Sequence, residues 1–183
     1  PSLRAAPRDQ CLANLKQISL ALSLYTEDTA GWFPPAERWA EVLLPRHAES
    51  AAPFACPEAR PSTEELSRYP QDKPAIPVGY ALFSPLAGLP GNAVDKPQET
   101  PLLFDCDRYG PNTTADLSSL SFRHYGRVAN VWFSDGHAKS VTETPKLPDP
   151  LLKPKERWNE PEPQPPPGAG EALEFGAEHM HEH

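Results

Sequence analysis

The sequence lacks a long hydrophobic run, a basic cluster and closely spaced cysteines, and each absence narrows the possible functions. Its apolar stretches are far shorter than the roughly 20 residues that a membrane-spanning helix needs. Lysine and arginine total 17 against 25 aspartates and glutamates, and this net charge of −8 argues against nucleic-acid binding. The three cysteines form no CxxC pair, so the sequence indicates neither a thioredoxin-like motif nor a zinc ribbon.

Proline is abundant and limits the regular structure that the chain can form. The sequence has 25 prolines in 183 residues, and each one removes a backbone donor from a helix or a central strand. Hydrophobic residues make up 38% of the chain, which can fill one modest core. We therefore expect one long helix, a small sheet and much irregular connection.

A helix over residues 9–28 is the clearest element that the sequence predicts. Apolar side chains recur there at three- and four-residue spacing, which is the pattern of one buried helical face. They are Cys11, Leu15, Ile18, Leu22 and Tyr25. We expect this helix to end near Gly31, because two prolines follow. A second, shorter helix is predicted over residues 37–49 and a loop over residues 60–77.

Apolar runs predict the strands, over residues 78–83 and 101–105 and then in the segment FRHYGRVANVWFSDGHAKSV, residues 122–141. That segment predicts a hairpin with strands near residues 121–124, 129–134 and 138–142. The Asp135-Gly136 pair is predicted to make the turn between the last two strands, since such a turn needs positive φ.

The composition changes at residue 143. Residues 143–183 hold nine of the prolines, and from Asn159 onward there are six glutamates without lysine or arginine. Two interpretations stay open: a disordered tail, or an extended arm anchored on a neighbouring subunit by Trp158, Leu173 and Phe175. The final His179–His183 stretch is interpreted as a solvated end, with weak metal binding as the alternative.

The polar residues around the hairpin have three possible roles. His124, Asp135 and His137 can shape the hairpin, which is the interpretation we favour, or they can join Asp105 and Asp107 in a metal site. Carboxylates suit calcium and histidines suit zinc. A His–Asp pair can also act as a general base, but no serine or cysteine stands in a nucleophile context, so we expect no enzyme. The alternative function is a soluble ligand-binding module at the cell surface with a metal held by Asp105, Asp135 and a histidine.

Two covalent features remain open in the sequence. Cys11–Cys56 and Cys56–Cys106 are both possible disulfides, and either leaves one thiol over. Asn112 begins an N-x-Thr sequon, which is a possible glycosylation site, although a turn after Gly110-Pro111 is the interpretation we favour.

Two stretches resemble the pilin-like proteins of bacteria. CLANLKQISLALSLYTEDTAGWFPP resembles the part of the first type IV pilin helix that follows the membrane half. FRHYGRVANVWFSDGHAKSV resembles the C-terminal signature of prepilin-type proteins with a His-x9-Asp-Gly domain. Here ten residues, one more than in that signature, separate His124 from Asp135. The resemblance covers residues 9–142 and leaves the tail outside.

The resemblance implies an α+β pilin-like domain over residues 1–142, with the first helix packed on a small antiparallel sheet, and a Pro/Glu-rich tail or arm at 143–183. It implies a structural subunit of a type IV pilus or a type II secretion pseudopilus, extracellular or periplasm-spanning. Its partners would be its own copies or related pilin-like subunits. A precursor would carry a cleaved leader and an apolar half-helix before this segment, so we expect a truncated or further processed form. Any cofactor would be calcium, as in related pseudopilins, or none.

Overall fold

The long helix predicted near the N-terminus is confirmed in the computed structural model, which describes residues 6–44, 46–68, 79–110 and 112–159. Helix α1 spans Ala6–Asp28 and turns the predicted apolar face inward, with Leu15, Ile18 and Leu22 almost fully buried. It ends where Ala30 takes a positive φ of 57° and the Gly31 N–H reaches back 2.7 Å to the Thr26 carbonyl. This closing bond satisfies a carbonyl at the helix end.

In the part of the chain that the structure describes, five strands form one sheet under this helix. They are β1 (Tyr80–Phe83), β2 (Pro101–Asp105), β3 (Thr114–Ala115), β4 (Ala129–Phe133) and β5 (Ala138–Val141), in the order β3-β1-β2-β4-β5. The fold is therefore α+β, as predicted. The prediction of a purely antiparallel sheet is wrong, because β3 pairs parallel with β1. With two residues, β3 is too short to leave a periodic signal in the sequence.

The core is built from the inner face of α1 and the three inner strands β1, β2 and β4. All residues of β1, β2 and β4 are buried, whereas β5 at the edge is partly exposed. Large aromatic side chains are buried in this core, and these include Trp39, Phe54, Tyr80, Phe83 and Phe104. Such burial is the main favourable contribution to folding.

The predicted second helix over residues 37–49 is wrong. That region holds two 3-10 turns, Ala36–Arg38 and Glu41–Leu43. The reason lies in tertiary hydrogen bonds: the N–H groups of Ala40 and Glu41 both donate to the Asn112 side-chain oxygen, at 2.9 and 3.1 Å. These donors are therefore engaged outside the helical pattern.

The predicted loop over residues 60–77 contains a short helix in its described part, α2 (Thr63–Ser67). Ser62 and Glu65 cap it reciprocally, with side chain to backbone distances of 2.6 and 3.1 Å. This Ser-x-x-Glu capping box is a helix-start signal that the sequence interpretation missed. Residues 69–78 lie outside the described part, so the predicted strand at 78–83 is seen only as β1.

The hairpin of β4 and β5 is confirmed, with Gly136 at a φ of 94° in the turn. A strand at residues 121–124 is not formed. The segment instead touches its neighbours at single points, where Ser121 N donates to the Asp105 carbonyl and His124 pairs with Val128. Arg127 takes a positive φ of 56° inside this tight loop, which bends the chain before β4.

The first part of the proline-rich segment, residues 143–159, lies on the body of the protein. Lys153 N donates to the Ala93 carbonyl at 2.8 Å, and Leu152 bridges to Val94. The Trp158 indole N–H donates to the Lys153 carbonyl at 2.7 Å. Contacts with the body thus continue beyond residue 142, while Leu173, Phe175 and the final histidines lie outside the described residues.

Among the helices of the described ranges, none combines the length and the apolar character needed to cross a membrane.

Candidate functional site

A buried carboxylate, Asp105, is the centre of the most polar part of the core. It ends the apolar strand β2 and is fully shielded from solvent. Its Oδ2 atom accepts a hydrogen bond from the Asn130 backbone N–H at 2.7 Å and lies 2.9 Å from His124 Nε2. A buried charge needs such partners, because an uncompensated one is costly.

His124 stands between two carboxylates. Its Nε2 faces Asp105, and its Nδ1 lies 2.9 Å from Glu58 Oε2. Burial lowers the pKa of His124, but the hydrogen bonds and charges of Asp105 and Glu58 outweigh burial, so its pKa lies above the usual value. The backbone bridge to Val128 fixes the ring between these two partners.

Arg123 completes the charge balance on the other side of Asp105. One guanidinium nitrogen lies 3.4 Å from Asp105 Oδ1 and donates to the Gly79 carbonyl, and the other donates to the Cys106 carbonyl at 2.9 Å. A side chain at Gly79 would come within 2.8 Å of this guanidinium, and its φ of 92° also favours glycine. When His124 is protonated, the positive charges of Arg123 and His124 balance the negative charges of Asp105 and Glu58.

The disulfide joins Cys11 of α1 to Cys56, with their Cα atoms 5.4 Å apart. This decides between the two pairings that the sequence left open. Cys106 remains a free, buried thiol, and burial raises its pKa, which keeps it protonated and weakly nucleophilic. One donor atom each from Cys11, Cys56, Asp105 and His124 lies within 4.8 Å of the others.

The second predicted group lies in the β4–β5 turn. The His137 backbone N–H donates to Asp135 Oδ1 at 3.1 Å, and the ring Nδ1 of His137 is hydrogen-bonded to the same oxygen. The ring also stacks on Phe133, with centroids 4.5 Å apart and planes within 2°. These contacts shape the turn around Gly136.

The structure divides the five predicted metal ligands, so the prediction that Asp105 and Asp135 share one ion is wrong. Phe133 pairs with Pro101 at one end of β2, whereas Asp105 closes the other end. Asp135 follows Phe133 and is thus separated from Asp105 by the length of the strand. Asp107 is exposed beside the cluster. Asp105 and His124 are the predicted pair that the fold brings together.

The sequence interpretation missed Glu58 and Arg123 as members of the cluster. Arg123 lies inside the segment FRHYGRVANVWFSDGHAKSV, but no local pattern predicts that it turns inward to Gly79 and to the end of β2. Glu58 follows Cys56-Pro57 closely, and its place beside His124 depends on the disulfide that positions this loop. Only a fold could relate these residues, because 66 positions separate Glu58 from His124.

Asn112 has a structural role. Its φ of 54° makes a left-handed turn, as favoured from the sequence, and its amide nitrogen donates to Glu41 Oε1 at 3.2 Å. A glycan on that nitrogen would have to displace this contact.

No family model, curated protein or solved structure matches this chain. The side chains of Asp105 and His124 are fully shielded from solvent, so in this conformation a substrate has no path to either. The arrangement suits a structural role, in which buried hydrogen bonds and ion pairs hold strands and loops together.

Proposed function

We propose that this chain is the globular part of a pilin-like subunit, of the type IV pilus or type II secretion pseudopilus kind. It would assemble with its own copies or related subunits into an extracellular or periplasm-spanning filament. The proposal rests on α1, which packs one side on the sheet and leaves two leucines exposed on the other. The exposed fractions of Leu20 and Leu24 are 56% and 49%.

The outer side of α1 has the spacing of a helix-packing seam. Ala13, Gln17, Leu20 and Leu24 are all exposed and follow one another at intervals of four, three and four residues. Side chains at this spacing lie in one row along a helix, which is how helices pack against each other in bundles and coiled coils. A filament built on α1 would cover this row.

The interior supports a mechanical role for the domain. The disulfide joins α1 to the loop at Cys56, and the Asn130 amide donates to the Arg8 carbonyl, tying α1 to β4. Arg123, Asp105 and His124 then link β2 to the loop before β4. Such cross-links resist the pull on a subunit within a filament, and this role needs no covalent chemistry from the chain.

Electron microscopy of the protein purified from its native cells tests this proposal, together with mass spectrometry of the mature N-terminus. We expect ordered filaments for the wild type. Leu20→Lys and Leu24→Lys should abolish or shorten them while the melting temperature stays close to that of the wild type, because surface substitutions cost little stability.

Thr144→Lys is the matched control, since it adds the same charge at an exposed position away from α1. It should assemble normally. Monomers for the wild type at high concentration, or filaments that persist in both leucine variants, would contradict the proposal.

A further inference from the structure

The disulfide lies directly beside the buried Asp105–His124 pair. We propose that the reduced chain uses Cys11, Cys56, Asp105 and His124 to bind one zinc ion, and that formation of the disulfide expels it. The four residues are buried, and one donor atom of each lies within 4.8 Å of the others. This inference does not depend on filament assembly.

The donor set matches zinc. Two thiolates, one imidazole nitrogen and one carboxylate oxygen make a four-coordinate site of the closed, structural type. With metal bonds of about 2.0 Å to nitrogen or oxygen and 2.3 Å to sulfur, tetrahedral neighbours are roughly 3.3 to 3.8 Å apart. The most distant donors therefore need to approach by only about 1 Å, while the two sulfurs move apart once their bond is broken. Calcium fits poorly, because it takes six to eight oxygen ligands.

Glu58 prepares His124 for this role. Its carboxylate lies 2.9 Å from His124 Nδ1 and can accept that N–H, so when zinc displaces the Nε2 proton that faces Asp105, the Nε2 lone pair becomes available to the metal. Histidines that bind zinc commonly donate their other ring N–H to a carboxylate, which fixes both tautomer and ring orientation. Glu58 is thus a positioning residue for the site.

Arg123 balances the charge of the loaded cluster. Zinc with two thiolates, one carboxylate and a neutral imidazole carries one net negative charge. The Arg123 guanidinium, 3.4 Å from Asp105 Oδ1, offsets it, and the remaining negative charge belongs to the partly exposed Glu58 carboxylate. The Asn130 N–H can keep its bond to Asp105, because a carboxylate oxygen has a second lone pair for the metal.

Zinc and disulfide exclude each other because they use the same two sulfurs. A dithiol reductant opens the bond by thiol–disulfide exchange: each cysteine sulfur gains one electron, and the reductant becomes a disulfide. Zinc then displaces the thiol protons. In the reverse direction a second disulfide takes two electrons from the two cysteine thiolates and two protons from water and becomes a dithiol, the Cys11–Cys56 bond forms, and the zinc ion leaves to water.

The test compares oxidised and reduced full-length protein without oxygen, after removal of the reductant. Zinc content is measured by mass spectrometry, and Co²⁺ is then used as the spectroscopic probe. We expect one zinc per reduced chain and no cluster-bound zinc in the oxidised chain. Co²⁺ in the reduced chain should show thiolate charge-transfer absorption and the intense visible bands of a tetrahedral site.

The variants separate this cluster from other ligands of the chain. A Cys11→Ser/Cys56→Ser chain should lose the thiolate band, whereas Cys106→Ser should keep it, because Cys106 is outside the cluster. Asp105→Asn should lose tetrahedral binding, with the exposed Asp107→Asn as its matched control. Folding of each variant is checked by circular dichroism before metal is added.

Glu58→Gln keeps the test decisive if the buried variants fail to fold, since Glu58 is partly exposed. It should weaken zinc binding by roughly 10- to 100-fold, as expected for an outer carboxylate partner, while Glu64→Gln on α2 changes nothing. Two results would overturn the proposal. One is that the reduced, folded wild type shows no thiolate–Co²⁺ band. The other is that the double serine variant retains the zinc through the terminal histidines alone.

Discussion

At the scale of single residues, the buried ionic cluster explains why polar side chains occur in the core. Asp105 alone would be costly to bury, but it is matched by Arg123, His124 and a backbone N–H. Removing one member of such a group usually destabilises a protein strongly, because the remaining charge is left without compensation. The stability of the fold is therefore coupled to the charge of His124.

This coupling predicts a pH dependence for the oxidised chain in the presence of a chelator. The pKa of His124 is raised by Asp105 and Glu58 against the opposing effect of burial. Between the unfolded and the folded pKa, the folded state binds more protons, so its stability must fall as pH rises. The contribution is fully present below about pH 6.5, the unfolded value, and is lost as pH passes through the folded pKa.

Urea unfolding at a series of pH values measures this effect. The free energy of unfolding should fall above about pH 6.5 in the wild type. In His124→Gln the part of this fall that comes from the His124 charge should be absent. His137→Gln is the control and should keep the wild-type slope, because His137 belongs to the surface turn. Equal slopes in the wild type and His124→Gln would show that the cluster is not held by a charged imidazole.

At the scale of elements, Asn14 fixes α1 on the sheet. Its amide nitrogen donates to the Ala55 carbonyl at 3.0 Å and to the Tyr80 hydroxyl at 3.1 Å. Asn14 and Tyr80 are both buried. A polar residue on the inner face of an otherwise apolar helix selects one register, because sliding the helix would leave these groups unpaired.

Asn14→Ala should lower the free energy of unfolding by about 1 to 3 kcal/mol, the cost of leaving buried partners unsatisfied. Gln17→Ala, on the exposed side of α1, should change it by less than about 0.5 kcal/mol. Denaturant titration of Asn14→Ala, Tyr80→Phe and the chain with both substitutions completes a double-mutant cycle. Strict additivity of Asn14→Ala and Tyr80→Phe would mean that this hydrogen bond does not hold the helix.

Sequence patterns predicted the elements whose signal is local. The apolar spacing of α1, the run of β2 and the Asp135-Gly136 turn each follow from a few neighbouring residues. The region at 37–49 also has helical spacing, yet its backbone donors bind Asn112, which lies 72 positions beyond Ala40. A long-range contact of this kind leaves no local pattern.

At the scale of the whole molecule, the disulfide closes a loop of 45 positions between α1 and the segment that carries Glu58. A cross-link of this span restricts the unfolded chain and is expected to stabilise the fold by about 4 kcal/mol. It also places Glu58 within reach of His124. The bond thus links overall stability to the geometry of the buried cluster.

A Cys11→Ala/Cys56→Ala chain, kept with a chelator, should lose about 4 kcal/mol of unfolding free energy. Cys106→Ala retains the disulfide and should lose only about 1 kcal/mol, typical of a single substitution. Denaturant unfolding measures both, and peptide mapping without reductant should show Cys11 linked to Cys56. If the double variant matched the wild type, the loop closure would contribute nothing.

The sequence by itself determined the class of the fold, its main helix, its hairpin and its acidic, proline-limited character, because these depend on composition and on neighbours along the chain. Only the tertiary structure decided which cysteines pair, which aspartate meets His124 and where Arg123 points. Those outcomes depend on how α1, β2 and the loop at Cys56 converge in space. Donor atoms from residues 11, 56, 105 and 124 meet within 4.8 Å because folding brings four distant segments to one place.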